Sequence, residues 1–270
     1  MVRSKSSLIA LVACVGFIGP ADAQRSDAVW TVCVPNMPVP PFILNIPEQP
    51  ERLGTAELLA LAAVRASGLR GELAHLPPAR CRRLLEAGEA DALMVSASGA
   101  NLDSLQFPRD AKGQVDPTRR LARLNLVWVS RPDSPFEWNG RELVGHAAGS
   151  ILVGTRSPLL AATAPLAEFG FKVDGAAVTT PQVLRKLMAK RVDIAVVVQA
   201  ELNAALEADP GLRVLHVLPR PFVSSDFHLA VRKSLPSEQR RRAEAVWAAI
   251  ARLRNRPEFV AAPSASASTH

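Results

Sequence analysis

The chain has no tyrosine among its 270 residues, so phenolic hydrogen bonds and tyrosine stacking are closed to any site it builds. Cysteine is scarce, with only Cys14, Cys33 and Cys81. No Cys/His pattern has metal-ligand spacing and the five histidines are isolated, so neither a metal nor another cofactor is expected. No phosphate-cradling glycine loop and no nucleophile–base pair stands out. The N-terminal apolar stretch Leu8–Ile18 is too short to cross a bilayer.

That stretch follows Arg3 and Lys5 and is broken by Pro20, with Ala21-Asp22-Ala23 behind it. The pattern is that of a secretory signal peptide, residues 1–23, cut after Ala23 into the periplasm. Leu11-Val12-Ala13-Cys14 offers a competing lipoprotein reading with Cys14 acylated. Loss of Arg3, Lys5 and Asp22 would take the net charge from +7 to +6. The arginines are scattered, and the dense run Arg240-Arg241-Arg242 falls in an amphipathic helix pattern. A solvated helix face explains it, and no nucleic-acid partner is expected. Cys33 and Cys81 then remain. Outside the cytosol they are expected to bridge, with two buried free thiols as the alternative.

Two stretches whose aspartates, Asp91 and Asp193, lie 102 residues apart share one grammar. Pro77–Asp91 runs into Ala92-Leu93-Met94-Val95, and Thr179–Asp193 runs into Ile194–Val198. Each reads as a proline turn, a short amphipathic helix, a tight stop, an aspartate and a buried strand. Preceding strands at 72–76 and 176–178 make both β-α-β units. A chain that builds this unit twice is expected to form two α/β lobes with a solute gap between them.

The first lobe begins with the strand 30–34, the proline-dense loop 35–42 and a helix from Thr55 to Ala66, with Leu58, Leu59, Ala62 and Ala63 inward. Residues 124–129 read as a strand crossing to the second lobe. That lobe has strands near 145–152 and 171–173, a helix start at Ser157-Pro158, the second unit, a helix 201–208 and a strand 213–218. Residues 227–231 return as a strand, and a helix 236–254 carries Ala245, Val246, Ala249, Ile250 and Leu253 inward. The expected division is 24–124 for lobe one, 125–222 for lobe two, 223–259 for the return, and 260–270 as a disordered tail. Two crossings make a two-stranded hinge.

Cys33, Pro40-Pro41-Phe42, Pro78-Ala79-Arg80-Cys81, Gly88-Glu89-Ala90-Asp91, Arg119-Arg120-Leu121 and Arg191-Val192-Asp193 resemble the periplasmic solute-binding proteins of family 3, the polar amino-acid receptors of ABC transporters. The resemblance spans residues 28–259. It implies the type II periplasmic-binding-protein fold, with two mainly parallel α/β lobes flanked by helices and joined by a two-stranded hinge. Two departures concern the ligand. The family's Thr-x-x-Arg motif, which clamps an α-carboxylate, is replaced by Ser98-Gly99-Ala100-Asn101-Leu102-Asp103. The acid expected five residues beyond Asp193 is Val198, with Gln199 beside it. The usual zwitterion clamp is absent from its usual places.

Ligands meet the carboxyl ends of parallel strands, which selects Phe42, Arg80, Ser96, Ser98 and Gln199. Phe42 would stack on a planar solute or pack beneath its loop. Arg80 would hold a carboxylate or phosphate, or pair with Glu86 or Glu89. Ser96, Ser98 and Gln199 would donate to solute or close turns. Thr155 and Ser157 stand at an expected helix start, where free N–H groups suit an anion, although capping alone accounts for Ser157. Arg120 would close the gap or pair with Asp116. Asp91 and Asp193 fit turn-fixing roles, and Trp138 a lip or core role. The expected function is a secreted, monomeric, non-enzymatic protein that binds a small polar or anionic solute for ABC-type uptake through a membrane permease. The alternatives are a sensing or accessory subunit, or a cleft enzyme such as a dehydratase. For the enzyme, the carboxylates near the mouth, Asp103 and Asp226, lack an obvious partner.

Overall fold

In the computed structural model, which describes residues 29–44, 51–134, 136–159 and 163–260, the sequence repeat is a repeat of topology. In the first half, β1 (Val29–Pro35) lies between β2 (Arg70–Leu76) and β3 (Ala92–Ser96), parallel to both, and α2 (Pro78–Ala87) connects the outer two. In the second half, β6 (Leu152–Arg156) lies between β7 (Lys172–Ala177) and β8 (Ile194–Val198), again parallel, and α5 (Thr180–Met188) makes the crossover. Two longer strands, β5 (Ala122–Ser130) and β10 (Val223–Arg232), run antiparallel between the halves. The sheet order is β2-β1-β3-β10-β5-β8-β6-β7, with β4 (Leu105–Gln106) added to β10 and β9 (His216–Val217) to β5. Each long strand serves both halves. β10 pairs with β5 through Val223–Phe227 and with β3 through Phe227–Ala230. β5 pairs with β8 through Leu126–Val129. This is the expected two-stranded hinge.

Alternation along the strands sends side chains to separate cores. In the first half, Val32, Val34 and Met94 pack under α1 (Thr55–Ala66) and α7 (Ser237–Leu253), around Trp247. On the opposite face, Cys81 and Leu85 of α2 pack with Cys33 and Phe107. Cys33 and Cys81 form the expected disulfide, with Cα atoms 5.4 Å apart. In the second half, Trp128, Trp138, Leu166 and Phe171 fill one side. Leu184, Leu187 and Leu202 fill the other beneath α5 and α6 (Gln199–Ala208). Trp138 is a core residue, its ring 5.2 Å from that of Trp128.

Several expected boundaries move. The strand expected near 145–152 lies at Leu152–Arg156, where Asp193 pins its first residue, and the preceding stretch holds a 3-10 turn, Ala148–Ser150. Lys172 to Ala177 is one continuous strand. Ser157–Leu159 is a 3-10 turn, and the next described helix, α4, is the short Pro165–Glu168. The strand expected over 213–218 shrinks to β9 behind a 3-10 turn, Pro210–Val214, because Asp209 and Pro210 start that turn. On α1 the buried stripe is Ala56, Leu59, Ala60, Ala63 and Val64, and Leu58 faces solvent. On α7, Ala245 is exposed and Ala243 and Trp247 are buried. The expected signal segment and the tail from 261 lie outside the described residues.

Candidate functional site

Residues paired across β5 and β10 share a face, so the hinge ribbon is two-sided. Leu124, Leu126, Val223 and Phe227 make its apolar side. Phe227 packs against the first-half core around Trp247 and also against the second-half core around Trp128. Phe42 does the same from the loop after β1. That loop carries the cis peptide Pro40–Pro41 and lies so close to Gly54 that a Cβ there would stand 2.2 Å from the Phe42 carbonyl oxygen. Only glycine fits this N-cap of α1.

The other side is polar. The Arg123 guanidinium donates to both Asp226 oxygens, at 2.7 and 2.9 Å, a bidentate pair. Arg120 approaches the same carboxylate at 3.6 Å and donates to the Pro117 carbonyl at 2.7 Å. Burial would raise the Asp226 pKa, but the Arg123 hydrogen bond and the Arg120 and Arg123 charges hold it below the usual aspartate value. Further along, the Asn125 amide donates to Gln199 Oε1 at 3.0 Å, and its own oxygen accepts from Ser224 Oγ at 2.8 Å. Gln199 opens α6 directly after β8, so this seam runs from the carboxyl end of β8 across the hinge. Beside it is a pocket of about 230 Å³ lined by Ser98, Arg123, Ser224, Asp226 and His228, among others. His228 is fully buried, and burial pushes its pKa below the usual 6.5 despite carbonyls near both ring nitrogens.

A second charged group stands at the carboxyl end of β6. Arg156, only 6 % exposed, donates to Glu201 Oε1 at 2.6 Å, and Glu201 also accepts from Thr180 Oγ1. The same Arg156 nitrogen lies 3.5 Å from the Pro38 carbonyl in the loop after β1. Arg156 therefore links the carboxyl ends of strands in opposite halves.

The expected site residues separate accordingly. Ser98, Arg120 and Gln199 gather on the polar side of the ribbon, and Ser96 joins them through a hydrogen bond between its Oγ and that of Ser98. Arg120 pairs with Asp226, while Asp116 pairs with Arg119 at 3.1 Å. Phe42 lies on the apolar side. Arg80 is exposed on the first turn of α2 and makes no ion pair with Glu86 or Glu89. Thr155 is inside β6, fully buried, with no hydrogen-bond partner for Oγ1 among the described residues. A helix-start anion site is therefore no basis for its role. Where the Thr-x-x-Arg arginine would lie, Asn101 in α3 (Ala100–Ser104) is instead bonded by Arg82 from α2. Asp103 is exposed on α3.

Arg123, Asn125, Ser224, Arg156 and Glu201 escaped the sequence reading. For two of them a signal existed: in Arg123-Leu124-Asn125-Leu126, polar residues alternate with leucines, the mark of a strand with one wet face. Glu201 lies eight residues beyond Asp193, and only the turn of α6 brings it to Arg156.

No family model and no curated protein matches the chain. Solved structures do. The GluR0 ligand-binding core from Nostoc punctiforme, in complex with L-glutamate, superposes with a TM-score of 0.57 at 14 % identity, covering 85 % of this chain and 95 % of that one. A mutant of ArgBP from T. maritima gives 0.56 at 18 % identity, covering 86 % and 91 %. A histidine kinase sensor domain with similarity to periplasmic binding proteins gives 0.54 at 18 % identity, covering 82 % and 93 %. The chain thus has the two-lobed type II periplasmic-binding-protein fold. Among the described residues no helix is long and apolar enough to cross a membrane, and no cluster of three or more His, Cys, Asp or Glu is placed to hold a metal.

Proposed function

We propose that this chain is a secreted solute-binding protein whose lobes, divided near residues 124/125 and 222/223, close on a small polar or anionic solute for uptake by an ABC-type permease. The observation that carries the reading is the polar side of the hinge ribbon, where Arg123, Asn125, Ser224 and Gln199 converge beside a pocket at the end of β3. Arg123 spends two of its five donors on Asp226, so donors remain for a solute anion. Binding and lobe closure are the whole function, and no bond is made or broken. Structural neighbours that bind amino acids support a solute of that size.

The test is a thermal-shift screen of residues 24–270 against amino acids, dicarboxylates, phosphorylated metabolites, polyamines and aromatic acids. A solute that prefers the native state raises its apparent stability. A stabilising hit that is lost in Asn125→Ala and Arg123→Ala, with circular dichroism unchanged, supports the reading. No stabilisation across the panel overturns it.

A sensing or accessory role is the second reading. Val39 and Phe42 pack against the second-half core, and Arg156 approaches Pro38, so the loop after β1 bridges the lobes directly, a contact through which a partner could read their relative position. A partner-dependent phenotype that survives Asn125→Ala would favour this role over delivery.

A further inference from the structure

β7 ends the sheet, and among the described residues no strand pairs with its outer edge. Such an edge offers free backbone donors and acceptors to another chain. One of its amides, Ala176, is bonded instead to the Asp174 side chain at 3.0 Å. Beside this strand α5 presents Gln182, Arg185 and Lys186, with Ala189 at its C-cap, spaced as one helical face. The strand end and the helix face line an open groove of about 560 Å³, together with Val178, Ala189 and Arg191. Val178 is 59 % exposed, a high value for a β-branched apolar side chain.

The charges are one-sided. Lys186 is neutralised by Asp174 at 2.5 Å. Arg185 and Arg191 have no ion pair among the described residues, and no carboxylate lines the groove. Two guanidiniums without an ion pair thus share the groove with Ala176, Ala177, Val178 and Ala189, next to a strand whose outer edge is open. This combination suits an extended chain whose backbone adds to β7 while alternate acidic side chains meet the arginines. No aromatic ring lines the groove for base stacking, and the free edge of β7 supplies the backbone pairing that an extended chain uses and a lipid headgroup does not.

We propose that the groove between β7 and α5 docks an extended acidic segment of a protein partner. It shares no residue with the pocket at the hinge ribbon, so the proposal stands apart from solute binding.

The probe is a fluorescein-labelled peptide of roughly ten residues alternating Glu and Val, followed by anisotropy with the purified chain. Comparison probes are the Lys counterpart, a single-stranded oligothymidylate and phosphatidylglycerol vesicles. The expected result is binding of the acidic peptide alone, with slowed amide exchange over residues 172–178. Affinity should fall about tenfold or more in Arg185→Glu/Arg191→Glu and fall also in Val178→Asp. It should persist in Arg240→Glu/Arg252→Glu, which removes equal charge from the exposed side of α7. The proposal is overturned if the acidic peptide does not bind or if both double variants lose binding equally. Binding without β7 protection, or equal affinity for the oligonucleotide or the vesicles, also overturns it.

Discussion

Asp193 grips Leu152 twice: its carboxylate accepts the Leu152 N–H at 2.8 Å, and its own N–H donates to the Leu152 carbonyl at 2.9 Å. Asp91 holds Thr31 the same way, at 2.9 Å in both bonds. The repeated aspartate is thus a clasp between the crossover's last turn and the central strand of each half. It accounts for an acid at that spacing without any ligand.

Asp193→Ala and Asp91→Ala should therefore each cost about 1.5–3 kcal/mol, since each strips a charged acceptor from a backbone amide of a central strand. Chemical denaturation should show similar losses for the two. A loss confined to one would mean that the repeat is not energetically equivalent.

Three residues before each aspartate the backbone turns left-handed. Gly88 occupies that position in the first unit with φ +78°, and Lys190 in the second with φ +57°. Lysine pays a steric cost there that glycine does not. Lys190→Gly should stabilise the fold by roughly 0.5–1 kcal/mol, even after loss of the exposed Lys190–Asp133 ion pair. Gly88→Lys should destabilise it by roughly 1–2 kcal/mol. Melting curves of both variants check the pair.

The Cys33–Cys81 bridge closes a span of 48 residues. Chain-entropy arithmetic gives about 4 kcal/mol for a loop of that size. Cys33→Ala/Cys81→Ala should lower the denaturant midpoint accordingly, and a thiol reductant should lower that of the native chain but not of the variant.

Burial depresses the His228 pKa below 6.5 in the folded state. The unfolded chain then binds the extra proton first, so stability is lost as the pH falls below that value. The depressed Asp226 carboxyl adds loss of the same sign at lower pH. Unfolding free energy should decline between pH 7 and pH 5, and His228→Gln should flatten the upper part of that decline. An unchanged slope in the variant would assign the effect elsewhere.

Arg156 and Glu201 are a largely desolvated pair. Glu201→Ala should cost roughly 3–5 kcal/mol by leaving the guanidinium uncompensated, and Arg156→Met/Glu201→Leu should recover most of the loss. A double-mutant cycle by denaturation measures it.

The local grammar was legible in the sequence because its rules are short-ranged. Proline turns, amphipathic stripes, capping residues and apolar strands placed α1, β3 and β8 within a residue or two and put a crossover helix in each repeated unit, and the duplicated unit implied two α/β halves. Glu57 shows where such rules stop. As the third helical residue of α1 it reads as an ordinary capping acid, yet it is fully buried and bonded to the amides of Gly54 and Leu44 and to His75. Burial would raise its pKa, and those hydrogen bonds hold it below the usual value.

What the sequence determined by itself was the kind and order of the principal elements, since periodicity and turn chemistry act over a few residues. The tertiary structure alone decided which charges meet. Arg123 and Asp226 are 103 positions apart and Arg156 and Glu201 are 45 apart. Neither pair has a local signature, because each depends on strand register and on the turn of a helix. The polar side of the hinge, and with it the candidate site, emerges only when β5 and β10 run antiparallel in one particular register.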